Sequence, residues 1–371
     1  MSVQQVLKCA STYMLQAFDF PVTISSAAGC ELRTFNRIRY YSSEDPEEIL
    51  APARHFQIYE GTPVKIIEAN DVFRPLGPKC LYDRHGVRID ESCVRRGKGL
   101  TKFIASGPDT MPLPTDFITV DEPVVYLGWL QNHWGHFLTE GISRLWPFSQ
   151  YSELKRMLGV YCCSTLPHQN IWDFINALDL DIYIGGDRPR QAIRFRKVFI
   201  PLPSFVNQAE AYTVHSKAVA SVVDFYLREE RPRISSQPVF LSRSKLAGAR
   251  SVSNEGELER ALTKRGFLVV YPEELTLSSQ VNLFNSYRNF AGCWGSAFHT
   301  VILSKCPETI ATDVLCEGTP NPNFLMFDSI LGNEAKYVWA MMPIPGKEQT
   351  WPNLNLVIDL DKAVSYFDGL M

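Results

Sequence analysis

The chain has 371 residues, 45% of them hydrophobic and 21% charged, and its 37 basic and 40 acidic residues leave a net charge of −3. This composition is ordinary for globular proteins and excludes a mainly disordered chain, a collagen-like chain and a coiled coil. A nearly neutral chain has no overall field to hold a nucleic acid backbone, so we expect no nucleic acid partner. Because single cores rarely exceed roughly 250–300 residues, the length predicts two domains.

The N-terminal segment and the cysteines favour a cytoplasmic protein. Residues 1–20 lack the features of a secretory signal, and their apolar residues recur with the spacing of one helix face. The nine cysteines are odd in number, none has CxxC spacing, and no N-x-[ST] sequon occurs, which is typical of reduced thiols. The sequence contains no run of about 18 apolar residues, so we predict no membrane-spanning helix. The first helix could touch the inner face of a membrane, although docking on the protein surface is the simpler interpretation.

The first 120 residues contain short strand-like pieces at 56–59 and 64–67, and no function is legible there. From Pro123 onward, apolar strands alternate with helices, which predicts an α/β fold with a parallel, doubly wound sheet. The predicted elements are a strand at 123–130, a helix at 134–146 stopped by Pro147, a strand at 159–163, a helix at 170–178, a strand at 197–200 and a helix at 211–228.

Residues 229–238 are rich in proline, serine and charge, and we interpret them as an inter-domain linker. The predicted domains are therefore 1–230, of which 121–230 is Rossmann-like, and 231–345, with a tail at 346–371 that could pack back on the first domain. The second domain alternates strands at 239–242, 267–271, 289–292 and 308–314 with helices at 254–265, 276–287 and 296–305. Asn254 and Glu257 resemble a capping box at the start of the first of these helices.

Ligands of open α/β sheets bind beyond the carboxyl ends of the strands. In the second domain this edge would gather two cations, a glycine-containing helix start and several carboxylates. The residues that emerge there are Arg243 and Lys245 after the first strand, Glu273 and Glu274 after the second, Gly295, Ser296 and His299 after the third, and Glu317 after the fourth.

The segment Gly292 to Thr300 (GCWGSAFHT) is the sharpest local feature of this half. Gly295 would allow a tight turn, Ser296 would cap the helix, and the helix N-terminus together with Arg243 would bind a phosphate. The alternative is a plain strand-to-helix turn with His299 buried; the two cations on the same edge favour phosphate binding. Neither GxxxxGK[ST] nor GxGxxG is present, so a nicotinamide cofactor is not expected.

The first half has its own cluster, HWGHFLTEGISRLW, directly after a strand. His136, Glu140 and Arg144 recur at i, i+4 and i+8 on one helix face, which suits acid–base chemistry. An ordinary Glu140–Arg144 ion pair beside a buried histidine explains the spacing equally well.

A metal site is not expected. His133, His136 and Glu140 could ligate a metal, but HExxH is absent. The D-x-D triplets at 179–181 and 359–361 lie away from the ligand edge.

HWGHFLTEGISRLWPF resembles the H-F-x-x-[DE]-x-x-x-R-[LF]-W signature of glycosyltransferase family 61. The second half is similar to the same family in order: FLSRSK, then SNEGELERALTKRGFLVVYPEELTLSSQVNLFNSYRNFAGCWGSAFHTVILS. The resemblance covers about residues 120–315.

This resemblance implies two Rossmann-like domains facing a cleft, the B-type glycosyltransferase architecture, with the acceptor on the N-terminal side and the donor on the C-terminal side. It implies inverting transfer from a nucleoside diphosphate sugar, often UDP-linked, without an essential metal or other cofactor. Glu140 takes the family's acidic place, Arg243 the strand-end arginine place and 295–299 the phosphate-side turn. Many relatives carry His or Pro where this chain has Cys293-Trp294, which puts a catalytic part for that turn in doubt. Members without a signal or anchor resemble bacterial enzymes of capsule, exopolysaccharide or lipopolysaccharide synthesis.

The mechanistic hypothesis gives the base role to Glu140, with His136 orienting it or substituting for it. Arg243, Lys245 and the helix start at Ser296 would bear the phosphate charge, and Glu273 or Glu317 would hold ribose hydroxyls. The expected partners are a nucleotide-sugar donor and a glycan or glycolipid acceptor. Two alternatives stay open: a polysaccharide pyruvyl transferase that uses phosphoenolpyruvate, and a non-catalytic glycan-binding or assembly module.

Overall fold

A computed structural model describes residues 15–19, 22–26, 31–35, 37–42, 55–63, 65–96, 102–104, 107–163, 165–186, 191–228, 232–246, 251–305, 309–347 and 354–369. The fold is α/β with mixed sheets. The chain divides into two compact units, an N-terminal unit made of the described parts of 23–33 and 55–226 and a C-terminal unit made of those of 1–22, 34–54 and 227–371. The chain passes between the units near residue 227, close to the predicted boundary. It also does so three times within the first 55 residues, which the sequence did not predict.

The strands follow one another along the chain as β1 (Gln16–Asp19), β2 (Val22–Ser26), β3 (Glu31–Phe35), β4 (Ile38–Ser42), β5 (Gln57–Glu60), β6 (Ile66–Arg74), β7 (Leu81–Tyr82), β8 (Arg88–Ile89), β9 (Val94–Arg96), β10 (Lys102–Ile104), β11 (Phe117–Val120), β12 (Val124–Leu130), β13 (Leu158–Cys163), β14 (Ile182–Gly186), β15 (Ala192–Pro201), β16 (Phe205–Val206), β17 (Glu210–Tyr212), β18 (Val239–Leu241), β19 (Ser251–Val252), β20 (Leu268–Val270), β21 (Asn289–Cys293), β22 (Ala311–Cys316), β23 (Glu334–Trp339), β24 (Met341–Pro343) and β25 (Asn355–Ile358).

The α-helices are α1 (Trp134–His136), α2 (Gln169–Asn176), α3 (Ala220–Leu227), α4 (Glu255–Thr263), α5 (Leu277–Ser286), α6 (Pro322–Leu331) and α7 (Leu360–Asp368). A π-helical turn, Phe137–Gly141, continues α1, and the longer 3-10 helices are Trp146–Ser149, Thr213–Val219 and Ser296–Leu303.

The large sheet of the N-terminal unit has the order β14-β13-β12-β15-β6-β7-β8. Strands β12 to β15 are parallel to their neighbours in this group, and β6 runs antiparallel to β15. Because β12 lies between the second and fourth strands of the group, the strand order reverses at β12, which makes its carboxyl end the topological switch point. The run Val124–Leu130 is buried almost throughout, as expected for a strand covered on both faces.

The large sheet of the C-terminal unit has the order β1-β4-β23-β22-β21-β18-β20. All neighbours from β4 to β20 are parallel, and only the β1–β4 pair is antiparallel. The order reverses between β18 and β21, so this is the switch point of the second sheet. The predicted alternation of strands and helices from 239 to 316 is confirmed, whereas the addition of β23, β4 and β1 to the same sheet was not predicted.

The C-terminal tail is tied to the C-terminal unit by β25, which pairs with β19 and β24. The amide of Asn254 donates to Ile358 O and accepts from its N–H, both at 2.8 Å. The capping-box prediction for Asn254 is therefore wrong, because its side chain is used by a strand a hundred residues away. Tyr366 packs edge-on against Tyr41 at 5.0 Å, so the tail meets the first 230 residues at β4, a strand of the C-terminal unit.

Three helix predictions need correction. The predicted helix at 134–146 ends in the π turn at Gly141, and Pro147 lies inside a separate 3-10 turn. The predicted helix at 211–228 is a strand end, a 3-10 helix and the short α3. In the predicted N-terminal helix, residues 16–19 form β1, and residues 1–14 lie outside the described residues.

The π turn is held by a buried histidine from another segment. His215 Nε2 lies 2.9 Å from Leu138 O and must donate to it, because a carbonyl oxygen only accepts. His215 Nδ1 lies 2.9 Å from Ser204 Oγ, and the hydroxyl of Ser204 is also 2.9 Å from Ser143 O. Burial lowers the pKa of His215 to about 4, so the folded protein holds this ring neutral.

We predict that His215 makes the N-terminal unit acid-sensitive. Between pH 6.5 and 4 the unfolded chain protonates this histidine and the folded chain does not, so stability falls as pH falls, by up to about 1.4 kcal/mol per pH unit. His215→Gln keeps a donor for Leu138 O but does not titrate. As the pH falls, its free energy of unfolding should therefore rise relative to that of the wild type by that amount per pH unit. Urea unfolding of both proteins at pH 4.5, 5.5, 6.5 and 7.5 measures the difference.

The difference between the two proteins isolates His215 from groups that act in the opposite direction, such as Asp328, whose pKa burial raises to about 6. The exposed His168 offers a matched control. His168→Gln should differ from the wild type by the same amount at every pH, and a pH-independent difference for His215→Gln as well would contradict the prediction.

Candidate functional site

The carboxylate of Glu140 is the centre of a polar cluster beyond the carboxyl end of β12. Its side chain is only 5% exposed. Arg96 on β9 donates its Nε to Oε1 at 2.5 Å and its Nη2 to Oε2 at 2.7 Å, a bidentate pair. The amide of Gln131, the residue after β12, also donates to Oε2. Three separate segments therefore converge on one buried charge.

His136 stands beside this carboxylate, one helical turn before it. Its Nδ1 lies 3.3 Å from Glu140 Oε2 and 3.2 Å from Arg96 Nη2. The side chain is 35% exposed, in contrast to the buried Glu140, and within the described ranges no residue hydrogen-bonds its Nε2. The alternative interpretation of a buried, satisfied histidine at this position is therefore wrong.

The environment of Glu140 favours its ionised form. Burial alone would raise the pKa of Glu140, but the hydrogen bonds and charges of Arg96 and His136 outweigh it and lower the pKa below its ordinary value. A carboxylate with a low pKa and with hydrogen bonds to both oxygens is a weak base. It is well suited to orient a neighbouring imidazole and to stabilise its protonated form.

Arg144 does not pair with Glu140, so the alternative interpretation of an ordinary Glu140–Arg144 ion pair is wrong. Its guanidinium donates to the carbonyl of Pro201, to Glu91 O at 2.7 Å and to Cys93 O at 3.2 Å. Burial lowers the pKa of Arg144 to about 10, which leaves it charged at neutral pH. Because Glu91 and Cys93 lead directly into β9, Arg144 positions the strand that brings Arg96 to Glu140.

A bulge in β12 makes room for Arg144. The register of β12 against β13 shifts between Tyr126 and Gly128. Gly128 has φ +90°, a conformation that favours glycine, and a Cβ there would lie 3.2 Å from Arg144 Nε. Bulges that re-aim a strand next to a functional site are a known device.

In the C-terminal unit, Arg243 lies at the switch point between β18 and β21. Its Nη1 donates to Trp294 O at 3.1 Å, and its backbone N–H donates to Glu255 Oε1 at 3.0 Å. A Cβ on Gly295 would lie 3.4 Å from Arg243 Nη1. The structure thus brings together two residues that the sequence assigned to one phosphate site, Arg243 and Gly295.

The other predicted donor-binding charges lie farther along this edge. Lys245 Nζ is 3.0 Å from Glu274 Oε2 and 3.8 Å from the centre of the Tyr271 ring, and the hydrogen bond to Glu274 raises the pKa of Lys245. Glu273 is exposed, and Glu317 is half-buried just after β22.

The turn after β21 differs from its prediction. Gly295, with an extended backbone at φ 177°, is the N-cap of a 3-10 helix, and no side chain caps it, so the capping role of Ser296 is wrong. His299 is only 7% exposed, and its ring stacks on Phe324 at 4.5 Å and lies tilted against Phe327 at 4.8 Å. This interior position agrees with the plain-turn interpretation of His299.

Three residues of these clusters were missed by sequence reasoning. Gln131 follows the β12 run directly and could have been found there. Arg96 comes from the first 120 residues and has no local signal, because distant segments bring it to Glu140. Arg144 binds Glu91 O and Cys93 O, and Arg96 itself forms a β-bridge with Asn207. Glu255 was hidden inside an ordinary helix start.

Among the described residues, no group of three or more His, Cys, Asp or Glu side chains is arranged to hold a metal ion. Asp359, from one D-x-D triplet, is the N-cap of α7 and accepts from Lys362 N–H at 3.1 Å. No helix in the described part of the chain has both the length and the apolar character that crossing a membrane requires.

Residues 134–312 match the protein-family model Glycosyltransferase 61. This region belongs to glycosyltransferase family 61. The family 61 region contains His136, Glu140, Arg243 and Gly295, whereas Arg96 precedes it. Comparison with curated proteins finds no match. The family assignment indicates a glycosyltransferase activity.

We predict that Arg96 stabilises the N-terminal unit by neutralising Glu140. Arg96→Met should lower the free energy of unfolding by about 3 kcal/mol, because a buried carboxylate then lacks its ion-pair partner. The double variant Arg96→Met/Glu140→Gln should recover much of that loss, since the charge itself is removed. Urea unfolding at pH 7 of the wild type, both single variants and the double variant measures the coupling.

Arg196 provides the control, because its pairing with Asp121 occurs at the surface. Arg196→Met should change stability by less than about 1 kcal/mol. If the changes in the free energy of unfolding of the two single variants add up to that of the double variant, Arg96 and Glu140 are not coupled.

Proposed function

We propose that this chain is an inverting glycosyltransferase that moves a sugar from a nucleoside diphosphate sugar, UDP-linked in our hypothesis, to a hydroxyl of a glycan or glycolipid. One observation carries the proposal: inside the family 61 region, a His–Glu pair follows one switch point and an arginine follows the other. Inverting transfer needs a base for the acceptor hydroxyl and a cation for the leaving diphosphate. The two sites supply one each.

The strand orders support the finer architectural proposal of two Rossmann-like domains of the B-type. In the N-terminal unit, the parallel strands β12 to β15 have the spatial order 3-2-1-4, and in the C-terminal unit, β18 and β20 to β23 have the order 2-1-3-4-5. Both orders occur in doubly wound nucleotide-binding folds. In this proposal the N-terminal unit holds the acceptor and the C-terminal unit holds the donor.

His136 is the base in this proposal, and Glu140 orients it. His136 Nδ1 lies within reach of both Glu140 Oε2 and Arg96 Nη2. Our mechanism uses the tautomer in which Nδ1–H donates to the carboxylate and Nε2 keeps its lone pair. The acceptor hydroxyl transfers its proton to Nε2 while its oxygen attacks the anomeric carbon and the bond to the diphosphate breaks. Glu140 stabilises the imidazolium that forms. The sequence left two roles for His136, either to orient Glu140 or to replace it as the base. The geometry favours the second role.

Arg243 stabilises the diphosphate that leaves. Charge develops on the leaving oxygen as the sugar bond breaks, and a guanidinium held in place before the reaction stabilises that charge without reorganisation. The bond of Arg243 to Trp294 O and the small Gly295 beside it hold the guanidinium at the end of β21. A planar fork of donors also suits bidentate binding of a phosphate.

We predict that UDP raises the midpoint of thermal unfolding of the wild type, selectively over GDP, CMP, TDP and phosphoenolpyruvate, with and without EDTA. A ligand at a hundredfold excess over its Kd stabilises by about 2.7 kcal/mol. Arg243→Ala should lose most of the UDP shift. Arg265→Ala, which removes a cation paired with Asp368 in the same unit, should keep it.

Each other outcome of this panel has a defined meaning. A UDP shift that EDTA abolishes would contradict the metal-independent form of the proposal. Protection by phosphoenolpyruvate alone would favour the pyruvyl transferase. No shift with any of these ligands would favour the non-catalytic module.

We predict that His136→Ala lowers kcat by about 10²–10⁴, the usual contribution of a general base, and leaves the Kd for UDP within twofold of the wild type. Imidazole added to the buffer should restore part of that activity, because it can accept the proton in place of the missing ring. The measurement is UDP release from the donor sugar that supports turnover. Imidazole should not rescue Glu140→Gln, which retains the histidine. Near-normal kcat in His136→Ala would remove it as the base.

A further inference from the structure

Glu255 is a carboxyl buried beside Arg243. It is the first residue of α4 and is 1% exposed. Its Oε1 accepts the backbone N–H of Arg243 at 3.0 Å, and the Cys293 thiol is a second hydrogen-bonding group for the carboxyl. Burying a carboxyl is costly, so the position of Glu255 at the switch point needs an explanation.

The groups that face Glu255 come from three elements. Arg243 extends from the end of β18, Glu259 follows one turn later on α4, and the thiol of Cys293 ends β21. Burial raises the pKa of Glu255 to about 7, although the hydrogen bond and charge of Arg243 act in the opposite direction. The Cys293 thiol is neutral in the physiological range, because burial raises its pKa further above the ordinary value.

Glu259 is the contrasting carboxylate of the same helix. It accepts from Ser242 Oγ at 2.6 Å and from the Tyr271 hydroxyl at 3.1 Å, and these hydrogen bonds lower its pKa despite partial burial. Glu259 therefore stays ionised through the neutral range. Glu255, in contrast to Glu259, changes its charge there.

We infer that Glu255 is a positioning residue that sets how strongly Arg243 attracts the phosphates of the donor. The inference rests on the proposed function, because it assigns Arg243 to the donor diphosphate. Oε1 fixes the backbone of Arg243, and the guanidinium of the same residue binds Trp294 O on the next strand. A neutral Glu255 holds this geometry without opposing the positive charge.

Ionised Glu255 acts differently. A carboxylate beside Arg243 keeps the backbone hydrogen bond but offsets the guanidinium charge that a diphosphate would meet. The attraction for the donor is therefore strongest below the pKa of Glu255 and weakens as pH rises through the neutral range. A residue that only supported the fold would not produce this dependence.

The test compares UDP binding to the full chain by calorimetry at pH 6.0, 7.0 and 8.5 in the wild type and in Glu255→Gln. Glutamine keeps an oxygen for the Arg243 N–H and does not titrate. UDP changes its own charge in this range, but the ratio of the two Kd values at each pH cancels that change. We expect the ratio of the wild-type Kd to the variant Kd to be near 1 at pH 6.0 and about 5 at pH 8.5.

Glu257→Gln is the matched control, since Glu257 is exposed on the same helix. The ratio of the wild-type Kd for UDP to the Kd of this control variant should stay near 1 at every pH. If Glu255→Gln does not fold, Glu255→Met replaces it. That variant should bind UDP more weakly at pH 6.0 and, relative to the wild type, lose less affinity as pH rises.

The outcomes separate this inference from the proposed function. A ratio that does not change with pH, in a protein whose UDP binding depends on Arg243, overturns the role of Glu255 alone. Failure of the wild type to bind UDP at any pH overturns both.

Discussion

The N-terminal unit depends on the burial of one carboxylate charge. Glu140 is almost wholly removed from water, and an ionised group in that position persists only with partners that replace its hydration. Arg96 supplies a bidentate ion pair, and Gln131 and His136 supply further contacts. Arg144 forms no ion pair with Glu140 and donates to backbone carbonyls instead. It binds the backbone that leads into β9 and so fixes the direction from which Arg96 arrives.

The two switch points use the same residue types in opposite environments. In the N-terminal unit, hydrogen bonds overcome burial and lower the pKa of Glu140, whereas in the C-terminal unit burial prevails and raises the pKa of Glu255. Environments that push the pKa values of two carboxyls apart are a general way to give them different tasks. Under our proposals, Glu140 remains charged to orient a base, and Glu255 changes charge to modulate a cation.

Several features of the fold and of the sites were predictable because they are written in local patterns. The apolar run of β12 and the alternation from 239 to 316 identified the parallel strands, and strand ends then located Arg243 and Gly295 at one edge. Errors arose where polar groups had a choice of partner. Asn254 binds Ile358 instead of capping α4, Arg144 binds carbonyls instead of Glu140, and the turn at 137–141 is held by His215 through Leu138.

The sequence by itself determined which residues are apolar, where strands end, and that a histidine and a glutamate follow β12 one turn apart. These properties depend on neighbours within about one or two helical turns, which periodicity records. Only the tertiary structure decided that Arg96, 44 residues before Glu140, neutralises the Glu140 carboxylate. It also decided that Glu255 accepts the backbone N–H of Arg243. The reason is physical: a buried charge is stabilised by whichever donors the packed chain brings within hydrogen-bond distance. Contacts between segments far apart in the sequence make that selection, and they leave no local mark on the sequence.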